Sequence, residues 1–149
     1  MIDLKAPTPY MTEADWKLVR HFKPTERWGD WRKVHRRLVF ALDALAEFAD
    51  RPVILHNAHD EDGHTDESYH YRGMAADIHI AGLHVVDQFI VASRFDEFNG
   101  IGVYPAWNNP GLHLDIRPMK DRLSPDARWL RTCGGVYLPL TWKNLMEAL

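Results

Sequence analysis

Ser68-Tyr-His70-Tyr-Arg-Gly73-Met-Ala75-Ala-Asp77, answered farther along the chain by Gly111-Leu-His113-Leu-Asp115, is the text on which the reading of this sequence turns. Two imidazoles and a carboxylate form a ligand set for zinc, which takes nitrogen and oxygen donors at about 2.0–2.2 Å and keeps a fourth position free when the protein supplies three. Gly73 breaks the backbone after His70, and Met74 to Ile80 is a short apolar-leaning run, so the spacing predicts His70 on a turn and Asp77 inside a strand. Leu112, Leu114 and Ile116 alternate with His113, Asp115 and Arg117, a period of two that sets the polar three on one strand face. Two adjacent strands then present Asp77 and His113 to one ion, with Leu83 to Phe95 as the crossover helix between them. Residues i and i+2 on one face lie about 6.5–7 Å apart. Asp115 and Arg117 are therefore expected to flank the metal or its substrate rather than to ligate it.

Working outward, the remaining chain reads as a single α+β domain spanning residues 1–149. Thr12 is placed to cap a first helix reaching about His21. Asp30 is placed to cap a longer one, in which Trp31, Val34, Leu38, Leu42, Leu45 and Phe48 recur at three to four residues. Strands are expected at Pro52 to Asn57, Met74 to Ile80, Gly100 to Tyr104, Leu112 to Arg117 and near Gly135 to Leu138, and a last helix at Thr141 to Ala148. The expected architecture is an antiparallel sheet with helices packed on one face and the metal on the other.

The formal net charge is −3 with histidine neutral, and the basic pairs Arg32-Lys33 and Arg36-Arg37 fall on one amphipathic helix, so a solvated face explains them and no nucleic-acid partner is expected. Cys133, the single cysteine, has no partner for an internal disulfide and is expected as a packed thiol. Met1 to Pro7 carries no apolar leader core, and no run approaches the roughly 18 apolar residues of a membrane span. The expectation is cytoplasmic synthesis without a signal peptide and no membrane insertion. The acidic run Asp60-Glu61-Asp62 lacks the full pattern of a calcium loop and reads as a solvated loop. His79 shares the strand face of Asp77, as an edge histidine facing water, as a further ligand or as a donor behind the ligands.

The pattern Ser-x-His-x-x-Gly-x-Ala-x-Asp, a later Gly-Ile-Gly-Val-Tyr-Pro at residues 100–105 and a closing His-x-Asp resemble the zinc D-alanyl-D-alanine carboxypeptidases and murein endopeptidases. Their fold is shared with the hedgehog signalling domain. The likeness extends to members in which an Arg-Pro-Val-Ile strand, here Arg51 to Ile54, precedes the first ligand, and it covers roughly residues 31–129. The resemblance implies a hedgehog-like, D-Ala-D-Ala carboxypeptidase-like fold, Zn2+ as cofactor, and His70, Asp77 and His113 as its ligands. It also implies a peptidoglycan or muropeptide substrate cut beside a D-amino acid. Peptidoglycan lies outside the membrane, so a member without a leader looks like a phage or prophage product released to the cell wall, or a muropeptide-recycling enzyme.

Members of that family usually carry Ser-Gly-Tyr-Arg after the Arg-Pro-Val-Ile strand, with the arginine associated with the substrate carboxylate; here the text is Asn57-Ala58-His59-Asp60. Arg117, or Arg72 beside the first ligand, is the substitute that a planar guanidinium fork recommends. Some relatives place the general base just before the last ligand, where this chain has Pro110 and Gly111. Asp115 is the expected base by strand geometry, with the loop from His59 to His64 as the alternative. Tyr104, Trp107 and Tyr69 are expected to line a groove beside the metal, and His59 is expected among the substrate-binding residues. The reading from another class is a non-catalytic module that retains the metal, such as a structural or wall-binding component of a phage particle.

Overall fold

The computed structural model describes residues 7–119 and 127–149; the N-terminal segment read above for a leader lies outside these apart from Pro7. The chain is α+β, with a mixed sheet of six strands in the order β1-β2-β4-β3-β5-β6. The strands are β1 (Val53–Asn57), β2 (Ala75–Ile80), β3 (Gly100–Tyr104), β4 (Gly111–Asp115), β5 (Ala127–Arg131) and β6 (Tyr137–Pro139). The helices are α1 (Glu13–Trp16), α2 (Arg36–Ala49), α3 (Val85–Ala92) and α4 (Trp142–Ala148).

Alternation along the strands divides the sheet into two chemically distinct faces. Ala76, Ile78 and Ile80 of β2, Ile101 and Val103 of β3, and Leu112 and Leu114 of β4 join one buried apolar cluster with Leu38, Leu42 and Leu45 of α2 and Val85 of α3. Each of these large side chains removed from water contributes about 1.5–3 kcal/mol relative to exposure. The opposite face carries Asp77, His113, Asp115, Gly100 and Gly102, the polar and small residues of the same strands. Gln88 of α3 ties the layers together, accepting from Ile80 N at 2.9 Å and donating to the carbonyls of Leu83 and Pro110 at 3.0 Å each.

Several expectations are corrected. The sheet is mixed rather than antiparallel, because β5, which was not expected, lies parallel to β3 with Gly102 opposite Trp129. The first helix is a single turn. Thr12 does cap it, in a reciprocal box with Asp15, but the backbone amides of Arg20 and His21 turn away to the Asp43 carboxylate of α2. Asp30 caps a short 3-10 turn, Trp31–Lys33, and α2 begins only at Arg36. Between them the backbone is extended and held by tertiary bonds, from Met11 N to Val34 O, His35 N to Gly73 O and Arg36 N to Pro9 O. Cys133 is exposed rather than packed. Among the described residues no helix is long and apolar enough to cross a membrane.

Candidate metal centre

One rung of the sheet crosses all six strands: Asn57, Asp77, His113, Gly102, Trp129 and Pro139 stand opposite one another in turn. Asp77 and His113 are thus set side by side by register alone. His70 comes from outside the sheet, on a 3-10 turn, Tyr69–Arg72, whose first free amide is capped by the Ser68 hydroxyl at 3.3 Å. Gly73 closes that turn at a φ of 66°, and a Cβ there would strike the carbonyl oxygen of Lys33. Only glycine meets both demands, which is the physical content of the glycine in the quoted motif.

The three side chains meet as expected. His70 Nε2 lies 3.2 Å from His113 Nδ1 and 3.3 Å from Asp77 Oδ1, and His113 Nδ1 lies 3.1 Å from that same oxygen. In a tetrahedral site with bonds of about 2.0–2.1 Å, ligand atoms stand about 3.3–3.4 Å apart, so this triangle needs to open only slightly to hold an ion. The protons point the right way too. His70 Nδ1 is 2.6 Å from the Ala58 carbonyl, which can only accept, so the proton is on Nδ1 and Nε2 presents a lone pair. His113 Nε2 donates to Asp115 Oδ2 at 2.9 Å, which leaves Nδ1 as the free donor atom of the neutral ring. Two imidazole lone pairs and a carboxylate oxygen aimed at one point repel unless a cation or a proton sits between them. His70, Asp77 and His113 can together hold a metal ion.

The electrostatics follow from the same contacts. Burial works against a charge on His113, but its bonds to Asp115 and Asp77 and their negative charges outweigh it and hold the imidazole up at about 9 when no cation is present. Burial likewise opposes ionisation of Asp77, yet the protonated His113 foremost, with His70 beside it, keeps its carboxyl well below the usual carboxylate range. Asp115 is also held low against burial, by Arg117 first and His113 second.

Asp115, expected as the general base, has a different place. It is fully enclosed at 0 % exposure and stands on the far side of the His113 ring from Asp77 and His70. Both its oxygens are engaged, accepting from Arg117 Nε at 2.7 Å, Arg117 Nη2 at 2.6 Å and Arg117 N at 3.1 Å besides His113. A carboxylate so enclosed holds the His113 ring and leaves neither oxygen open to the cleft. The glycines of β3 make room for it: a Cβ on Gly100 would overlap the Asp115 carboxylate, and one on Gly102 would overlap the Trp129 indole.

His70, Asp77 and His113 lie in an open cleft of about 980 Å³ that Arg72, Arg117, Tyr69, Tyr104 and Trp107 also line. His59 does not line it; it is buried, with its backbone packed on Gly29. Arg117 lies between the rings of Tyr69 and Trp129, at 4.8 and 5.1 Å from their centroids. Tyr104 stacks on Trp107 at 4.1 Å and accepts a bond from Trp129 Nε1 at 3.3 Å. Burial is the largest influence on the Tyr104 hydroxyl and pushes it well above the ordinary phenol range. His64 stacks face to face on His70 at 4.2 Å and pairs through Nε2 with Asp60 at 2.6 Å. Glu61, from the acidic loop, reaches out to Lys33 instead.

Three cleft residues were missed in the sequence: Trp129, Arg131 and Tyr137. The signal for the first two was the alternation of Trp129 and Arg131 with Leu130, short enough to pass as loop. His79 is neither a ligand nor a lone edge histidine, since its Nδ1 pairs with His56 Nε2 at 2.6 Å. Compared with protein-family models the chain matches none, and no curated protein matches it.

Proposed function

We propose that the chain is a zinc-dependent peptidase that hydrolyses peptide bonds of peptidoglycan, in stem peptides or cross-links and beside a D-amino acid, on a hedgehog-like, D-Ala-D-Ala carboxypeptidase-like fold. The observation that carries the reading is the convergence of His70 Nε2, Asp77 Oδ1 and His113 Nδ1, within 3.1–3.3 Å of one another, on the floor of an open cleft. His70, Asp77 and His113 would hold a divalent cation, and the chemistry it would supply is Lewis acidity toward a peptide carbonyl and toward water.

The surrounding side chains divide the remaining work. Asp115, itself clamped by Arg117, keeps the proton on His113 Nε2 and fixes the ring, and the Ala58 carbonyl does the same for His70. Tyr104 keeps its proton and offers a hydroxyl from the cleft wall to an oxygen of the substrate. Asp60 holds the proton on His64 Nε2, which leaves Nδ1 as the basic nitrogen in that wall and makes His64 the proton acceptor. Arg72 and the unused donors of Arg117 face a substrate carboxylate.

Zinc titration against a chromophoric chelator is expected to give one ion per chain in the parent protein and none in H113A or D77A. Zinc-loaded protein incubated with purified peptidoglycan is expected to release fragments whose masses identify the cut bond, and H113A to release none. A fully loaded site with no release would replace the enzyme by the metal-retaining structural or wall-binding module.

A further inference from the structure

The chain as a whole is acidic, with a formal net charge of −3. Its cleft is not: Arg72, Arg117 and Arg131 line it against the acidic side chains of Glu67 and the ligand Asp77. Arg117 is matched by Asp115. Arg131, half-buried at the end of β5, forms no ion pair among the described residues; its guanidinium lies 5.7 Å from the centroid of Tyr137, against the turn at Gly135. A guanidinium set beside a ring and a backbone turn, on a residue that lines the cleft, suits a planar anionic group.

Position in the sheet gives the distance. Trp129 is two strands from His113 along the common rung, and Arg131 lies two residues farther along β5. With strands about 4.8 Å apart and about 3.3 Å of rise per residue, the Cα of Arg131 stands roughly 12 Å from that of His113. Extended peptide covers that span in about three to four residues. Between the two points the backbone of β3 carries glycine, and the Trp129 indole lies over Gly102.

We infer that Arg131 forms an anion-recognising subsite, which binds a carboxylate of an extended peptide ligand about three to four residues from the metal centre. The inference rests on the cleft being the substrate site. It adds to the proposed function a requirement for a second, remote acidic group, read by a strand that contributes nothing to the metal.

The test uses dansylated alanine tetrapeptide amides carrying Glu at each of the four positions in turn, and the same series with Gln, which differs only in charge. Binding to the zinc-loaded full chain is read by fluorescence anisotropy. In at least one position the Glu peptide is expected to bind about tenfold or more tighter than its Gln partner. R131Q is expected to bring the pair to equal affinity and R131K to restore part of the difference, with zinc stoichiometry and melting temperature unchanged in both. R32Q, at an arginine outside the cleft, is expected to keep the preference. Equal binding of every pair, no binding of any peptide at millimolar concentration, or a preference left unchanged at every position in R131Q would each overturn the inference. Discrimination together with no release from purified peptidoglycan would defeat the peptidase alone, and release from peptidoglycan without discrimination would defeat the Arg131 subsite alone.

Discussion

Asp115 illustrates what a residue in a pattern of two can and cannot tell. Alternation set it on the same face as His113, and the structure agrees, but the period does not say which side of the imidazole a neighbour two residues away will occupy. That was decided by Arg117, whose fork draws the carboxylate behind the ring. His70, Asp77 and His113 were legible because their chemistry is specific and their order matched a known pattern; His59 was misplaced because nothing in a loop sequence fixes its direction. If Asp115 orients His113, D115N removes the charge while leaving an acceptor for the Nε2 proton. Zinc affinity is then expected to fall by about 10- to 100-fold, the range for losing a partner behind a metal ligand. Competition with a chelator of known affinity measures this, and an unchanged affinity would return Asp115 to the role of a bystander.

Among the elements, β3 was read correctly from Gly100 to Tyr104, although the reason for its glycines was not. They are there for side chains of two other strands, Asp115 of β4 and Trp129 of β5. G100A and G102A are each expected to destabilise the protein by about 1–3 kcal/mol, because a methyl group must displace a buried carboxylate or an indole. Urea denaturation monitored by tryptophan fluorescence provides the number. The two variants should differ in a second respect: G100A, by pushing on Asp115, should also weaken zinc binding, while G102A should leave it near the parent value. Equal zinc affinity in both would show that Asp115 is not the point of contact. The missed β5 has a related cause. Its parallel pairing with β3 joins segments with no hairpin turn between them, and the Gly134-Gly135 turn that leads from it to β6 frames only three alternating residues, Trp129 to Arg131, whereas α2 and α3 carried their own periodicity and were found with only their ends misplaced.

For the molecule as a whole, the metal centre and the fold share one proton. Without a cation the His113 imidazole is held up at about 9 from an ordinary 6.5. A raised pKa of this kind stabilises the fold fully below the ordinary value and loses its contribution as pH rises through the raised one. Asp77 and Asp115 act in the opposite sense. Their pKa values are held below the ordinary 3.8, so their contribution is present above that value and is lost as pH falls below it. The metal-free protein should therefore be most stable between about pH 4 and 6.5. Zinc reverses the slope, because it must displace the proton from His113 Nδ1, and its apparent affinity should rise about tenfold per pH unit until about pH 9. At a free concentration of about 100 times the dissociation constant, zinc adds about 2.7 kcal/mol to stability, worth roughly 5–11 °C of melting temperature in a chain of this size. Thermal melts with zinc and with EDTA should diverge steadily between pH 6 and 9 in the parent protein and coincide in H113A. A gap that stays constant with pH would mean that the ion does not compete with that proton, and that His113 is not its ligand.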